Sequence, residues 1–380
     1  MRYHTLAAGT PGITANISGI AYYDPEAVFP VQALYFCPGD PVPTYPDLTA
    51  ILLGLGSLAF SIAGTRLVLF WLKTKAVLDM PNERSSHTEP TPRGGGLAVT
   101  LVVIAGWTAS LILFPGNPPV AAWITLAMAL VLYGLSWIDD RINLKRRLRF
   151  PIHVIAVTSA TLSLPDHVLV LQGEVPLWAD RIVTVISWVW FLNLYNFMDG
   201  IDGITGMQTG SIGLGIVIVS GIAGLNSNIP WASMGMTLIG ASIGFLLFNW
   251  HPARLFLGDV GSIPLGFLTG FLLLMLAGTG YLAAALIIPA YYLVDATVTL
   301  LRRIATARPI AQAHREHFYQ VAVHRSGLSH STVTLYIMSG NMALLAATIV
   351  SVTLGPAAGI IFACIPILFL LFRFTRRTLV

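Results

Sequence analysis

The stretch NLYNFMDGIDGITG, from Asn193 to Gly206, sets two carboxamides and two carboxylates between long apolar runs. Asn193 and Asn196 lie three residues apart, as do Asp199 and Asp202, a spacing that puts each pair on one face wherever the chain is helical. Gly200, Gly203 and Gly206 leave room for a ligand to come close to the backbone. Ionisable groups at the edge of a hydrocarbon-buried segment are costly, so they mark a site that binds or reacts. The competing reading is a polar, glycine-rich turn between two spans.

Further acids stand in the same setting. Asp139 and Asp140 close an apolar run and precede Arg141 and the basic run Lys145 to Arg149. Adjacent carboxylates repel unless a cation or a proton offsets the repulsion. The basic run by itself suits anionic headgroups, as a membrane-surface anchor that needs no active site. Asp259 lies in NWHPARLFLGDVGS, where a hard cation such as magnesium can take carboxylate oxygen together with substrate phosphate oxygens. In DMPNERSSHTEPTPRGGG, Arg84, His87 and Arg93 are suited to phosphate, or serve as an ordinary basic loop. Asp295, in YYLVDATVTLLRR, falls about two turns inside an apolar run; it pairs with a neighbouring helix or Arg302, or it is catalytic. PIAQAHREHFYQVAVHRSG carries His314, Arg315, His317, His324 and Arg325. Without Cys or several acids it reads as a diphosphate or nucleotide clamp rather than a zinc site, the alternative being a plain amphipathic linker.

These groups must be positioned by a membrane protein. Of the 380 residues 55% are hydrophobic and 10% charged, and the mean hydropathy of +0.75 is too high for a soluble globular chain. The apolar runs 48–72, 96–114, 120–138, 151–165, 181–198, 206–225, 231–249, 262–278, 281–301, 333–354 and 356–373 predict an all-α polytopic membrane protein with about eleven transmembrane helices. Starting outside, this count puts all basic residues but Arg2, Arg66 and Arg181 on the cytoplasmic side, together with every polar cluster and the carboxyl terminus. The site is therefore expected at the cytoplasmic helix ends. The pI near 9.1 reflects these loops, and no nucleic-acid module is expected. Residues 1–47, rich in Pro, Gly and Tyr, are expected to be a disordered or loosely packed extension, or an over-extended gene start, before a transmembrane domain at 48–380. Cys37 and Cys364 predict neither a disulfide nor a zinc framework.

Taken together, PNERSSHTEPTPRGGG, WIDDRINLKRRLRF, NLYNFMDGIDGITG, LFLGDVGS and HREHFYQ resemble, in order and spacing, the polyprenyl-phosphate N-acetylhexosamine-1-phosphate transferases, over about residues 70 to 320. The resemblance implies transfer of a sugar 1-phosphate from a UDP-N-acetylated sugar to undecaprenyl phosphate, with release of UMP and with Mg2+ (or Mn2+) as cofactor. It implies a bacterial inner-membrane enzyme, with a homodimer as one expectation. By motif matching, Asp259 would bind the metal and Asn196 would help orient metal or diphosphate. Asp139 and Asp140 would sit by the lipid phosphate, Asp199 and Asp202 would support the sugar-nucleotide pocket with Asn193 and Arg93 nearby, and His314, Arg315 and His317 would hold diphosphate and sugar. HREHFYQ departs from the His-His-x-Glu form of the muramoyl-pentapeptide enzymes and from the His pair of the N-acetylglucosamine enzymes. It is more similar to the branch that initiates O-antigen on a 6-deoxy sugar such as N-acetylfucosamine or N-acetylquinovosamine. Direct attack by the lipid phosphate, with Asp139 orienting it, and a two-step route through an Asp nucleophile are both consistent with these motifs. An ion-coupled transporter is the reading from another class, but it calls for charge near the bilayer midplane and internal repeats. A CDP-alcohol phosphotransferase would carry its spaced acids in one short segment, a pattern that does not follow Asp199.

Overall fold

In hydrocarbon a backbone has only itself to bond with, so long apolar runs coil into helices. A computed structural model describes residues 48–75, 78–79, 90–142, 144–225, 229–309 and 314–376. The expected loose extension at 1–47, with Cys37, and the phosphate-loop residues Arg84 and His87 lie outside the described residues. The helices are α1 (Leu48–Thr74), α2 (Gly96–Leu113), α3 (Val120–Ile142), α4 (Arg146–Leu162), α5 (Leu177–Phe197), α6 (Ile204–Ala223), α7 (Trp231–Asn249), α8 (Asp259–Leu276), α9 (Leu282–Ile287), α10 (Ala290–Ala305), α11 (Phe318–His324), α12 (His330–Thr353) and α13 (Pro356–Thr375). A short antiparallel pair, β1 (Leu78–Asp79) with β2 (Thr91–Pro92), is the only sheet among the described residues. The all-α polytopic architecture is as the apolar runs predict.

Nine helical segments among the described residues are long and apolar enough to cross a membrane. The fourth and ninth expected passages differ from the rest in length. The fourth is α4, of 17 residues, which begins in the basic run instead of at Pro151. It still spans about 25 Å at 1.5 Å per residue. Arg149 in its first turn pairs with Asp139 at the end of α3, whereas Leu164 beyond its last turn accepts from Arg181 at the start of α5. The ninth is α9 with α10. A π-helical turn at Ala277–Tyr281, with Gly280 at φ 96°, breaks the axis after α8. Ala277 accepts a bond from Gln172 at the far end of the bundle, while Asp295 in α10 accepts from Phe318 and Tyr319 at the near end. The pair α9–α10 therefore runs back toward the end where α8 begins, α9 packing on α8 and α10 on α5.

At the centre stands α8, buried on nearly every face and packed on α3, α5 and α2. Around it α1 packs on α7 and α6 on α7, with Ser61 donating across to the Ala241 carbonyl at 2.7 Å. The outer faces of α1 and α13 leave Phe60, Leu67, Phe70, Ile361, Leu368 and Phe369 exposed, as helices facing lipid do. Because successive passages alternate, the ends of α3, α5 and α7 and the starts of α2, α4, α6, α8 and α12 gather at one end of the bundle.

Candidate active site

Asp259 opens α8, and its carboxylate is gripped from two sides. Arg93 Nη2 lies 2.6 Å from Oδ1, and Arg149 Nη1 lies 3.1 Å from Oδ2. Each guanidinium also holds one of the paired acids at the end of α3, Arg93 reaching Asp140 Oδ1 at 3.1 Å and Arg149 pairing with Asp139. Asp140 additionally caps α8, accepting from the N–H groups of Asp259 and Val260 at 3.2 and 2.9 Å. Asp139 is buried and accepts the Leu144 N–H at 2.7 Å. The structure thus corrects the reading of the 145–149 run as a surface anchor. Lys145 and Arg147 are exposed, but Arg149, two residues further on, turns inward to the acids.

Arg93 reaches this cluster because the PRGGG strap docks on the segment before α8. The Phe256 N–H donates to Pro92 at 2.8 Å, the Gly94 and Gly95 N–H groups donate to Phe256, and Gly96 donates to Leu257. A Cβ at Gly96 would lie 2.2 Å from the Gly261 Cα, so only glycine permits this approach. Burial works against the Arg93 charge, but Asp259 and Asp140 outweigh it and hold its pKa above the ordinary value.

The DGIDG segment is not helical, so the shared face expected for Asp199 and Asp202 does not form, and the two carboxylates diverge. Asp199 accepts from Thr205 Oγ1 at 2.6 Å, and burial, against the pull of Thr205 and Arg93, pushes its pKa up to about 6. Asp259 and Asp140 add to that rise, so Asp199 shares their field. Asp202 instead meets His251 Nδ1 at 2.6 Å, the Ala253 N–H at 3.1 Å and His330 Nδ1 at 3.4 Å. Burial opposes its ionisation, but His330 and His251 outweigh it and keep its pKa below the usual carboxylate value. Asn193 and Asn196 do lie on a helix, near the end of α5. Asn196 Oδ1 accepts from Ser262 in α8 at 2.6 Å, while Asn193 donates back to the Val189 carbonyl at 2.7 Å and so is partly spent within its own helix.

The HREHFYQ motif packs against this centre through Asp295. Its carboxylate is fully buried and accepts from the Phe318 and Tyr319 N–H groups at 3.0 and 3.1 Å, from Tyr291 at 2.8 Å and from His317 Nδ1 at 3.1 Å. Asp295 therefore pins the start of α11 and does not pair with Arg302. His314 stacks on His317 with ring centroids 5.0 Å apart, and Tyr319 donates to the Phe197 carbonyl at 3.0 Å. Glu316, held by Arg303 and Arg308, ties the loop to the end of α10. Arg315 is half-buried on the His324 side of the loop.

Four carboxylates, Asp139, Asp140, Asp199 and Asp259, thus face two guanidinium groups, Arg93 and Arg149. The surplus is negative and the donors are oxygen, which fits a hard divalent cation and not a soft one. The groups that sequence reasoning missed are Arg149, hidden in a run that reads as an anchor, and Asn249, His251, Ser262 and His330. Asn249 accepts the Gly203 N–H and donates to the Leu255 carbonyl, joining the DGIDG and PARLFLGD segments. A carboxamide closing an apolar run just before the loop with Pro252 was the signal available for it; His330 carried none.

Residues 122–277 match the family described as Glycosyl transferase family 4. A probable undecaprenyl-phosphate N-acetylglucosaminyl 1-phosphate transferase of Bacillus subtilis is 30% identical over 300 residues, covering 76% of this chain and 81% of that protein. A decaprenyl-phosphate N-acetylglucosaminephosphotransferase of Mycobacterium leprae is 28% identical over 335 residues, covering 75% and 79%. A phospho-N-acetylmuramoyl-pentapeptide-transferase of Chlamydia pneumoniae is 26% identical over 262 residues, covering 59% and 73%.

Proposed function

The chain belongs to glycosyl transferase family 4, the polyprenyl-phosphate sugar-1-phosphate transferases, and on that premise we propose that it moves a sugar 1-phosphate from a UDP-N-acetylated hexosamine to undecaprenyl phosphate. The observation that carries this reading is the cluster of Asp139, Asp140, Asp199 and Asp259 with Arg93 and Arg149 at the converging helix ends. A lipid whose tail stays in the bilayer can present its phosphate there to a water-soluble nucleotide sugar.

The reaction needs little covalent help. A phosphate monoester has a second pKa of about 6 and is mostly ionised at neutral pH. One of its oxygens attacks the sugar-linked phosphorus, the bond to the bridging oxygen of the diphosphate breaks, and UMP leaves with the electron pair. Arg93 and Arg149 would receive phosphate oxygens and hold the two reactants in line. Asp139 is held at both oxygens, by Leu144 N–H and Arg149. That suits an orienting carboxylate better than a nucleophile, and favours direct attack. Asp259, with Asn196 held by Ser262 in the same first turn of α8, would hold Mg2+, which supplies charge neutralisation at the diphosphate when bound. His314 and His317 would contact the donor's sugar and phosphate.

For the sugar, the departures in HREHFYQ support an N-acetylated 6-deoxyhexosamine, in the initiating step of O-antigen on the bacterial inner membrane. The named relatives point to N-acetylglucosamine as the other candidate donor. The test uses purified protein in lipid with undecaprenyl phosphate and Mg2+, offers UDP-N-acetylfucosamine and UDP-N-acetylglucosamine separately, and follows UMP beside an Asp259→Ala control. UMP with the deoxy sugar alone is expected. UMP with N-acetylglucosamine alone would discard the 6-deoxy assignment, and no UMP from either sugar in folded protein would discard the reaction.

A further inference from the structure

Beside the acid cluster stands a second convergence of a different chemistry. Asp202 comes from the DGIDG loop, His251 from the loop after α7, and His330 from the first residue of α12. One donor atom from each lies within 4.8 Å of the others. Both imidazoles present Nδ1 to the same oxygen, Asp202 Oδ2, at 2.6 and 3.4 Å, and the rings are 5.0 Å apart. His330 is buried, and its Nδ1 reaches Asp202 only at 3.4 Å, the long limit of a hydrogen bond. An ion bound between the two would satisfy that buried nitrogen more closely. His251 is the exposed member, with 37% of its side chain accessible, which leaves a path for an ion and room for a water ligand.

We propose that Asp202, His251 and His330 bind a zinc-class divalent cation, at a site separate from the acid cluster that fits magnesium. Two imidazoles and one carboxylate are a borderline-soft donor set, with three protein ligands and an open fourth position. The acid cluster offers oxygen alone. The two sites are electrostatically distinct, since the charges acting on Asp199 are Arg93, Asp259 and Asp140, whereas histidines act on Asp202. A bound ion would clip the DGIDG loop to α12, adding to the bond from Thr334 Oγ1 to the Asp202 carbonyl at 2.8 Å. The inference does not depend on the proposed transfer reaction.

The test takes tag-free, full-length protein stripped with a chelator and titrates it with Zn2+, and with Co2+ for its visible absorption, at saturating Mg2+. One equivalent is expected to bind and to raise the melting temperature, in the parent and in Asp259→Ala alike. His251→Gln with His330→Gln should weaken Zn2+ by at least about 100-fold, since even partners outside the ligand shell cost about 10–100-fold. Absence of a stoichiometric Co2+ spectrum in the parent protein overturns the proposal without reference to any variant. Retention of Zn2+ by the folded double variant, or its loss in Asp259→Ala, overturns it as well.

Discussion

Arg149 carries the sharpest prediction at the scale of single residues. It joins Asp139 and Asp259, two acids 120 positions apart in sequence, and a lone guanidinium between them orders both. Arg149→Ala is expected to lower the turnover of the proposed transfer by about 100-fold or more, the scale of losing one preorganised charge donor. Arg147→Ala, on an exposed side chain of the same run, is expected to change it less than about twofold. Equal effects in the UMP-release assay would return the whole run to a surface role. His314 gives a second prediction. Burial, helped by His317 and Arg303, pulls its pKa down from 6.5 to about 4. The unfolded chain therefore takes up a proton at higher pH than the folded one, and stability falls as pH drops from 6.5 toward 4. His314→Gln removes that term, so its melting temperature should depend less on pH across this window than the parent's. An identical dependence would show that His314 does not titrate in this way. The acids were legible because carboxylates between apolar runs are conspicuous in any composition. Arg149 was not, because a basic run beside a membrane has an ordinary explanation.

Elements set these side chains by close backbone contact, and glycine is where that contact can be tested. The DGIDG loop sits under α11, and a Cβ at Gly200 would fall 2.2 Å from the Tyr319 hydroxyl. The ring is stacked on His317 and its hydroxyl is bonded to the Phe197 carbonyl, so it cannot swing away freely. Gly200→Ala is expected to lower the melting temperature and to displace the HREHFYQ motif. Tyr319→Phe in that background removes the clashing oxygen but leaves the ring carbon at 3.1 Å, so it should recover part of the loss. Gly221→Ala, in the last turn of α6 where a Cβ meets nothing within 4 Å, is the control without a clash. It should be neutral or slightly stabilising, given the higher helix propensity of alanine. A double variant no better than Gly200→Ala would place the strain elsewhere. Helix existence was readable from the apolar runs, since a membrane leaves the backbone few alternatives. The non-helical course of Asp199 to Asp202 was not, because spacing of three fits a loop as readily as a helix. Pairing of Asp295 with a neighbouring helix was one of the roles open in the sequence, but not that the helix is α11, since the partners Phe318 and Tyr319 are backbone groups that no side-chain pattern announces.

For the whole molecule, the alternation of passages and the distribution of charge make one joint statement. The acid cluster, the PRGGG strap and the HREHFYQ motif share an end with Lys73, Arg141, Lys145, Arg147, Arg254 and Arg302, while Arg181 sits at the other, bonded to the Leu164, Pro165 and Val168 carbonyls. Clusters of Lys and Arg are retained on the cytoplasmic side, so the site end should face the cytoplasm, where nucleotide sugars are found. This depends on α4 crossing despite its 17 residues. Were α4 to lie along the surface, every later passage would invert and the acids of α3 would part from Asp259, which their shared arginines forbid. The two faces can be labelled directly. In a background with Cys37 and Cys364 replaced, Arg147→Cys and Glu174→Cys place one exposed thiol in the first turn of α4 and one beyond its last. An impermeant maleimide applied to intact cells is expected to modify the thiol at 174, and the one at 147 only after permeabilisation. Modification of both in intact cells would mean that α4 does not cross, and the reverse pattern would put the site outside, away from its proposed donor.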